Sequence, residues 1–136
     1  MNRNTPGPTE IQVRAMAAIL AHPQVWKLKH VDLFAVASAA TNGKALRGRV
    51  LGTMEKIRTE RRLMGAENTP GGTEIHQLAM GAILYHPQVW FMGYEQLHEI
   101  ANEATNHGAK RWRVKGTVNA MRRERGLGSI AKGDAR

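Results

Sequence analysis

Residues 9–26 read TEIQVRAMAAILAHPQVW, and residues 73–90 read TEIHQLAMGAILYHPQVW. The two stretches lie 64 positions apart, and the match extends outward in both directions without a gap. Upstream, Asn4-Thr5-Pro6-Gly7 returns as Asn68-Thr69-Pro70-Gly71. Downstream, Gly52-Thr53 returns as Gly116-Thr117. Residues 4–63 and 68–127 are identical at 32 of 60 positions. A duplication this clear fixes the organisation of the chain before any motif is read. It also provides an internal comparison: positions that agree serve a shared fold or contact, and positions that differ separate the two copies.

Within the quoted stretch, the shared apolar residues are Ile11, Ala15, Ala18 and Ile19, matched by Ile75, Ala79, Ala82 and Ile83. Their i, i+4, i+7, i+8 spacing marks one face of a helix. The pattern predicts a helix from Pro8 to Ala21, with Thr9 and Thr73 as N-caps. Pro23 and Pro87 stop it, because the residue before proline avoids helical geometry. A second helix is predicted over 31–40, from Leu33, Val36, Ala37 and Ala40 and their counterparts Leu97, Ile100, Ala101 and Ala104. Thr41-Asn42-Gly43 and Thr105-Asn106-His107-Gly108 then read as turns. A third, longer helix is expected over 44–62, on the stripe Val50, Thr53, Met54, Ile57 and its match Val114, Thr117, Val118, Met121. Gly52 and Gly116 fall on its opposite face. They imply either a break or a close neighbour, and the pattern favours one long helix.

No useful β-alternation occurs, so the fold class is all-α: two tandem homologous repeats of three main helices each, with no wing. The expected boundaries are 4–64 for the first repeat, 65–72 for a linker, 73–128 for the second repeat and 129–136 for a flexible tail. A unit of about 60 residues buries a limited core, so the copies should lean on each other. The His-Pro-Gln-Val-Trp run is expected to close the end of each small core, with Trp26 and Trp90 buried.

The chain has 136 residues and no cysteine, which excludes disulfides, Cys-based zinc sites and thiol chemistry. No apolar N-terminal stretch suggests a signal peptide, and no run approaches the ~18 apolar residues of a membrane span. A cytoplasmic, nucleic-acid-associated protein is expected. The formal net charge is +9. That favours a polyanionic partner. Residues 1–66 hold 11 basic and 4 acidic residues, whereas residues 67–136 hold 9 and 7. The first copy should therefore hold a polyanion more strongly.

The arginines of the third helix are the strongest functional constellation. Arg47, Arg49, Arg58 and Arg61 are matched by Arg111, Arg113, Arg122 and Arg125. With Val50 at the centre of the buried face, Arg47 lies about 60° to one side, Arg58 about 80° and Arg62 about 120°. In the second copy Arg111, Lys115 and Arg122 take that flank. Arginine's planar fork of donors suits phosphates and guanine edges. The alternative is a solvated face paired with Glu55, Glu60 and Glu124. Trp112 replaces Gly48 and should be exposed, as a contact for a partner or as packing between the repeats.

The second helix, the turn and the third helix of each copy resemble helix-turn-helix domains. In that family the start of the third helix enters the major groove and reads bases. The resemblance places Lys44, Arg47, Arg49, Lys110, Arg111 and Arg113 near DNA. The match requires a turn about three residues longer than the compact form. The candidate nucleic-acid-binding residues are thus Lys44, Arg47, Arg49, Arg58, Arg62, Lys110, Arg111, Arg113, Lys115 and Arg122. The expected partner is double-stranded DNA, bound by a pseudo-dimer within one chain as a regulator or DNA-coating protein. An acidic protein partner, such as a nucleic-acid enzyme that the repeats inhibit, is the rival. RNA is the third option.

No acid–base, nucleophile or phosphate-loop constellation is present, so no catalysis, cofactor or small-molecule substrate is expected. No metal site is expected either, since His30, His76, His98 and His107 have no counterpart in the other copy. The carboxylates shared by the copies are Glu10/Glu74 and Glu60/Glu124. They are read as a helix N-terminal charge and a helix salt-bridge partner.

Overall fold

The computed structural model describes residues 5–63, 69–128 and 130. The first half forms α1 (Pro8–Leu20), a 3-10 turn (Val25–Lys27), α2 (His30–Ala40) and α3 (Arg47–Leu63). The second forms α4 (Gly72–Tyr85), a 3-10 turn (Val89–Phe91), α5 (Tyr94–Ala104) and α6 (Arg111–Glu124). No strand occurs among the described residues, and no helix is long and apolar enough to cross a membrane. Each 3-10 turn follows its His-Pro pair. In the first copy His22 Nδ1 accepts the Gln24 N–H at 3.1 Å and braces the turn. Helix α4 begins at Gly72, the last residue of the expected linker. Residues 64–68 lie outside the described residues.

The centres of the predicted stripes are buried, whereas Ile11, Ala18 and Val36 and their counterparts are half-buried and Ala40 and Ala104, at the ends of the second helices, are exposed. One core gathers Ala15, Met16, Ile19, Leu33, Val50, Met54 and Ile57. The other gathers Ala79, Met80, Ile83, Leu97, Val114, Val118 and Met121, and takes in Val13 from α1. Polar pins repeat between the copies as well. Gln12 Nε2 donates to Thr53 Oγ1 at 2.9 Å. At the equivalent place His76 Nε2 lies 2.8 Å from Thr117 Oγ1. Burial, and then the nearby Arg113 charge, push the His76 pKa down to about 4. In the turns, Thr41 Oγ1 and Thr105 Oγ1 each accept the N–H of the alanine four residues on, both at 3.0 Å.

Both third helices run unbroken through their glycines. A Cβ built on Gly52 or Gly116 meets nothing within 4 Å, so neither a break nor a tight neighbour explains them. Close approach occurs elsewhere. Helices α1 and α4 pack together, and a Cβ on Gly81 would sit 2.9 Å from the Cβ of Ala17. Ala17 and Gly81 are equivalent positions of the repeat. The first helices of the two copies therefore meet at matching points.

Of the expected tail over 129–136, Ile130 alone is among the described residues. Ile130 is buried in the second core. Its N–H donates to Asn119 Oδ1 at 2.8 Å. The Arg122 guanidinium binds the carbonyl oxygens of Gly128 and Trp90. The rest of 129–136 lies outside the described residues.

Candidate nucleic-acid interface

The two ends of α3 and α6 carry their cations to different places. At the C-terminal ends the cations join the two copies. Arg125, at the end of α6, grips Glu10 of α1 through two hydrogen bonds of 2.7 and 2.9 Å. Arg61, near the end of α3, grips Glu74 of α4 in the same way, at 2.7 and 2.8 Å. The adjacent carboxylates complete each joint. Glu124 accepts the Thr9 N–H and hydroxyl at 2.9 and 2.7 Å. Glu60 accepts the same pair from Thr73, both at 2.8 Å. Every contact has its twin 64 positions away. Each third helix thus fastens the first helix of the other copy.

This arrangement corrects the expected caps. The N-cap residues are Gly7 and Gly71, with no side-chain cap bond of their own. Thr9 and Thr73 sit inside the first turn and are satisfied by a carboxylate from the opposite copy. An anion there meets the free N–H groups and the positive end of the helix dipole. The glycines make room for it: a Cβ on Gly71 would lie 2.6 Å from the Glu60 Cβ, and one on Gly7 would collide with Glu124. Glu10 and Glu74 lie in the first turns of α1 and α4, as the N-terminal charges expected, and are also buried anchors for Arg125 and Arg61. Burial alone would raise the Glu10 pKa, but the Arg125 and Arg14 guanidiniums outweigh it and hold the carboxyl below its usual value.

The tryptophans belong to the same joints. Arg61 stacks 4.1 Å from the Trp26 ring and Arg125 4.5 Å from the Trp90 ring. Trp26 is 39% exposed and Trp90 half-buried, against the expected burial of both: each ring packs on the arginine of a joint between the copies.

The N-terminal ends present their cations outward. Lys44, Arg47 and Arg49 are exposed in the first copy, and Lys110, Arg111 and Lys115 in the second. Arg113 is half-buried. Arg47 lies 5.6 Å from the Phe34 ring centre. Among the described residues, Lys44, Arg47 and Arg49 form no ion pair, whereas Arg111 pairs with Glu95. Arg111 and Lys115 also flank the Tyr94 ring, at 4.7 and 5.1 Å. Trp112 is 71% exposed, as the helix geometry predicted, so it does not pack between the repeats.

The remaining candidates separate from this group. Arg62 is exposed near the far end of α3 and bonds Thr59 at 3.3 Å. Arg58 is half-buried, with Nη2 closed off from solvent. Arg122 is engaged by the backbone carbonyls named above. The structure thus brings Lys44, Arg47 and Arg49 together at one helix start and Lys110, Arg111, Arg113 and Lys115 at the other. No cluster able to hold a metal ion occurs among the described residues. No protein-family model, curated protein or solved structure matches the chain.

Proposed function

We propose that the chain binds double-stranded DNA through the exposed starts of α3 and α6, as a two-site binder within one polypeptide. The observation that carries this reading is the division of the shared arginines. The fold consumes Arg61, Arg125 and Arg122 in internal contacts. It leaves Lys44, Arg47 and Arg49 exposed on the more basic half, without a carboxylate partner among the described residues. Outward arginines at a helix start supply the fork geometry that phosphates and guanine edges accept. The helix-turn-helix resemblance supports the same placement, with α2, the connection over 41–46 and α3 as its parts. Joining two sites in one chain raises the effective concentration of the second contact. A regulator or a DNA-coating protein fits.

The test is the Arg47→Ala plus Arg49→Ala variant in a duplex-binding titration at several salt concentrations. Each lost phosphate contact should flatten the slope of log affinity against log salt by about 0.9. A lost guanine contact should instead cost about 1–3 kcal/mol at the preferred site and less elsewhere. The matching Arg111→Ala plus Arg113→Ala variant should cost less, since Glu95 already neutralises Arg111. Unchanged duplex affinity in the four-arginine variant, with helicity intact, would falsify this reading. It would favour an acidic protein partner, for which exposed Trp112 is the supporting observation.

A further inference from the structure

A cavity of about 170 Å³ opens beside the start of α3 in the first copy. Its apolar floor is Pro6, Pro8, Ile11 and Leu46, and its cations are Lys44 and Arg49. No carboxylate lines it among the described residues. Gln12 lies at its wall with its amide nitrogen already held by Thr53 at 2.9 Å. The volume is below the ~300–1,000 Å³ usual for a whole small-molecule ligand. It suits one flat ring whose remainder stays outside. The chemistry that matches is an apolar planar body carrying an anion: a nucleobase with its phosphate.

Resting on the DNA-binding reading, we propose that this notch takes one unpaired nucleotide of the bound DNA. The base lies on the proline and leucine floor, and its phosphate meets Lys44 and Arg49. An unpaired base at a strand end or overhang enters without the unpairing that an internal base requires.

The second copy lacks three of the residues that line the notch. The positions of Pro8, Lys44 and Leu46 are held there by Gly72, Gly108 and Lys110. The Arg113 guanidinium reaches within 4.0 Å of where a Gly72 Cβ would stand, over the same corner. The notch therefore distinguishes the basic half from its twin, and gives that half a preference that charge alone would not.

Leu46→Lys separates the notch from charge. Leu46 is 61% exposed, and lysine already occupies the equivalent position 110, so the fold accommodates the change. The variant replaces one of the four apolar lining residues with a charged one, making the notch less favourable to a base while adding a positive charge. Two probes are titrated by fluorescence anisotropy: a short blunt duplex, and the same duplex with a single-stranded overhang. The wild-type protein should bind the overhang probe about fivefold more tightly, the gain from burying roughly 40 Å² of apolar base surface at about 25 cal/mol per Å². Leu46→Lys should bind both probes equally, with blunt-duplex affinity unchanged or higher. Equal binding of both probes by the wild type overturns the notch and leaves the duplex reading standing. An overhang preference that survives Leu46→Lys overturns the notch as well. Failure to bind either probe removes the underlying reading too. A leucine-ended acidic peptide that binds the wild type but not Leu46→Lys, with no overhang preference, reassigns the notch to a protein C-terminus.

Discussion

The end and the start of the third helix use the same residue type for opposite purposes. At its end, Arg61 and Arg125 turn inward onto Glu74 and Glu10 and are more than four-fifths buried. At its start, Arg47 and Arg49 face solvent. Both sets repeat at matching positions of the two copies. Repetition within a duplicated chain therefore does not by itself distinguish a fold contact from a binding contact. A repeated carboxylate marks the inward ion pairs, although Arg58 and Arg122 repeat without one and Arg122 is held by backbone carbonyls. Glu10 and Glu60 are kept in the second copy as Glu74 and Glu124, and those are the residues that receive the inward cations and cap the helices. No acid is shared near Arg47, where position 31 is Val and its counterpart 95 is Glu.

The largest expected effect comes from breaking the inward set. Arg61→Met should destabilise the protein by about 3–5 kcal/mol, because removing one partner of a buried ion pair strands the other charge. Denaturant unfolding measures it. Arg47→Met should lie within about 0.5 kcal/mol of the wild type, as an exposed substitution. Similar losses in the two variants would erase the contrast between the ends.

The next effect is set by pH. The His76 pKa is about 4 in the fold against 6.5 ordinarily, so the unfolded chain binds its proton first as pH falls. The stabilisation from keeping the ring neutral is complete above pH 6.5 and is lost as pH falls through 4. It amounts to about 3 kcal/mol. His76→Gln installs the residue found at position 12 and should remove this part of the acid sensitivity. Wild type and variant are compared by unfolding at a series of pH values. Parallel stability curves for the two proteins would show that His76 is not held neutral by the fold.

Helix order, turn positions and the core stripes were legible because each depends on spacing within a few residues. The 3.6-residue period placed Val50, Met54 and Ile57 inside, and proline after His22 placed the helix stop. What the period could not reveal is a partner that is distant in sequence. The carboxylate that satisfies Thr9 comes from Glu124, 115 positions away. The only signal for it was the joint repetition of Thr-Glu and Glu-Arg. The tryptophans depart from expectation for a related reason: hydrophobicity implies a place inside one core, but the contact that Trp26 and Trp90 share is an arginine whose carboxylate partner lies in the other copy. Of the candidate site, the helix starts were legible, while Arg122 was assigned outward because backbone carbonyls as partners leave no trace in the sequence.

A smaller effect probes the joint without touching charge. Gly71 has an extended backbone, φ −90° and ψ −173°, which any residue adopts. Gly71→Ala therefore adds no backbone strain, and its main effect is a methyl group placed 2.6 Å from the Glu60 Cβ. Relaxing that overlap should cost about 1–3 kcal/mol. It should also loosen the Thr73 cap, read as faster amide exchange at the start of α4. A neutral result would show that the joint tolerates displacement, and that its hydrogen bonds, rather than its fit, hold the copies together.

The smallest expected effect has the opposite sign and lies on the open side of the same helices. Gly52 and Gly116 are exposed, are kept in both copies and have space for a Cβ. Alanine in an exposed helix interior is about 1 kcal/mol better than glycine. Gly52→Ala and Gly116→Ala should each raise stability by that amount, measured as a shift in the denaturant midpoint. Stabilisation without loss of duplex affinity would show that this face receives no close contact. Stabilisation with weakened binding would show that the duplex backbone approaches nearer than a methyl group allows, and would extend the outward surface from the arginines at the helix start to the glycines one turn further on.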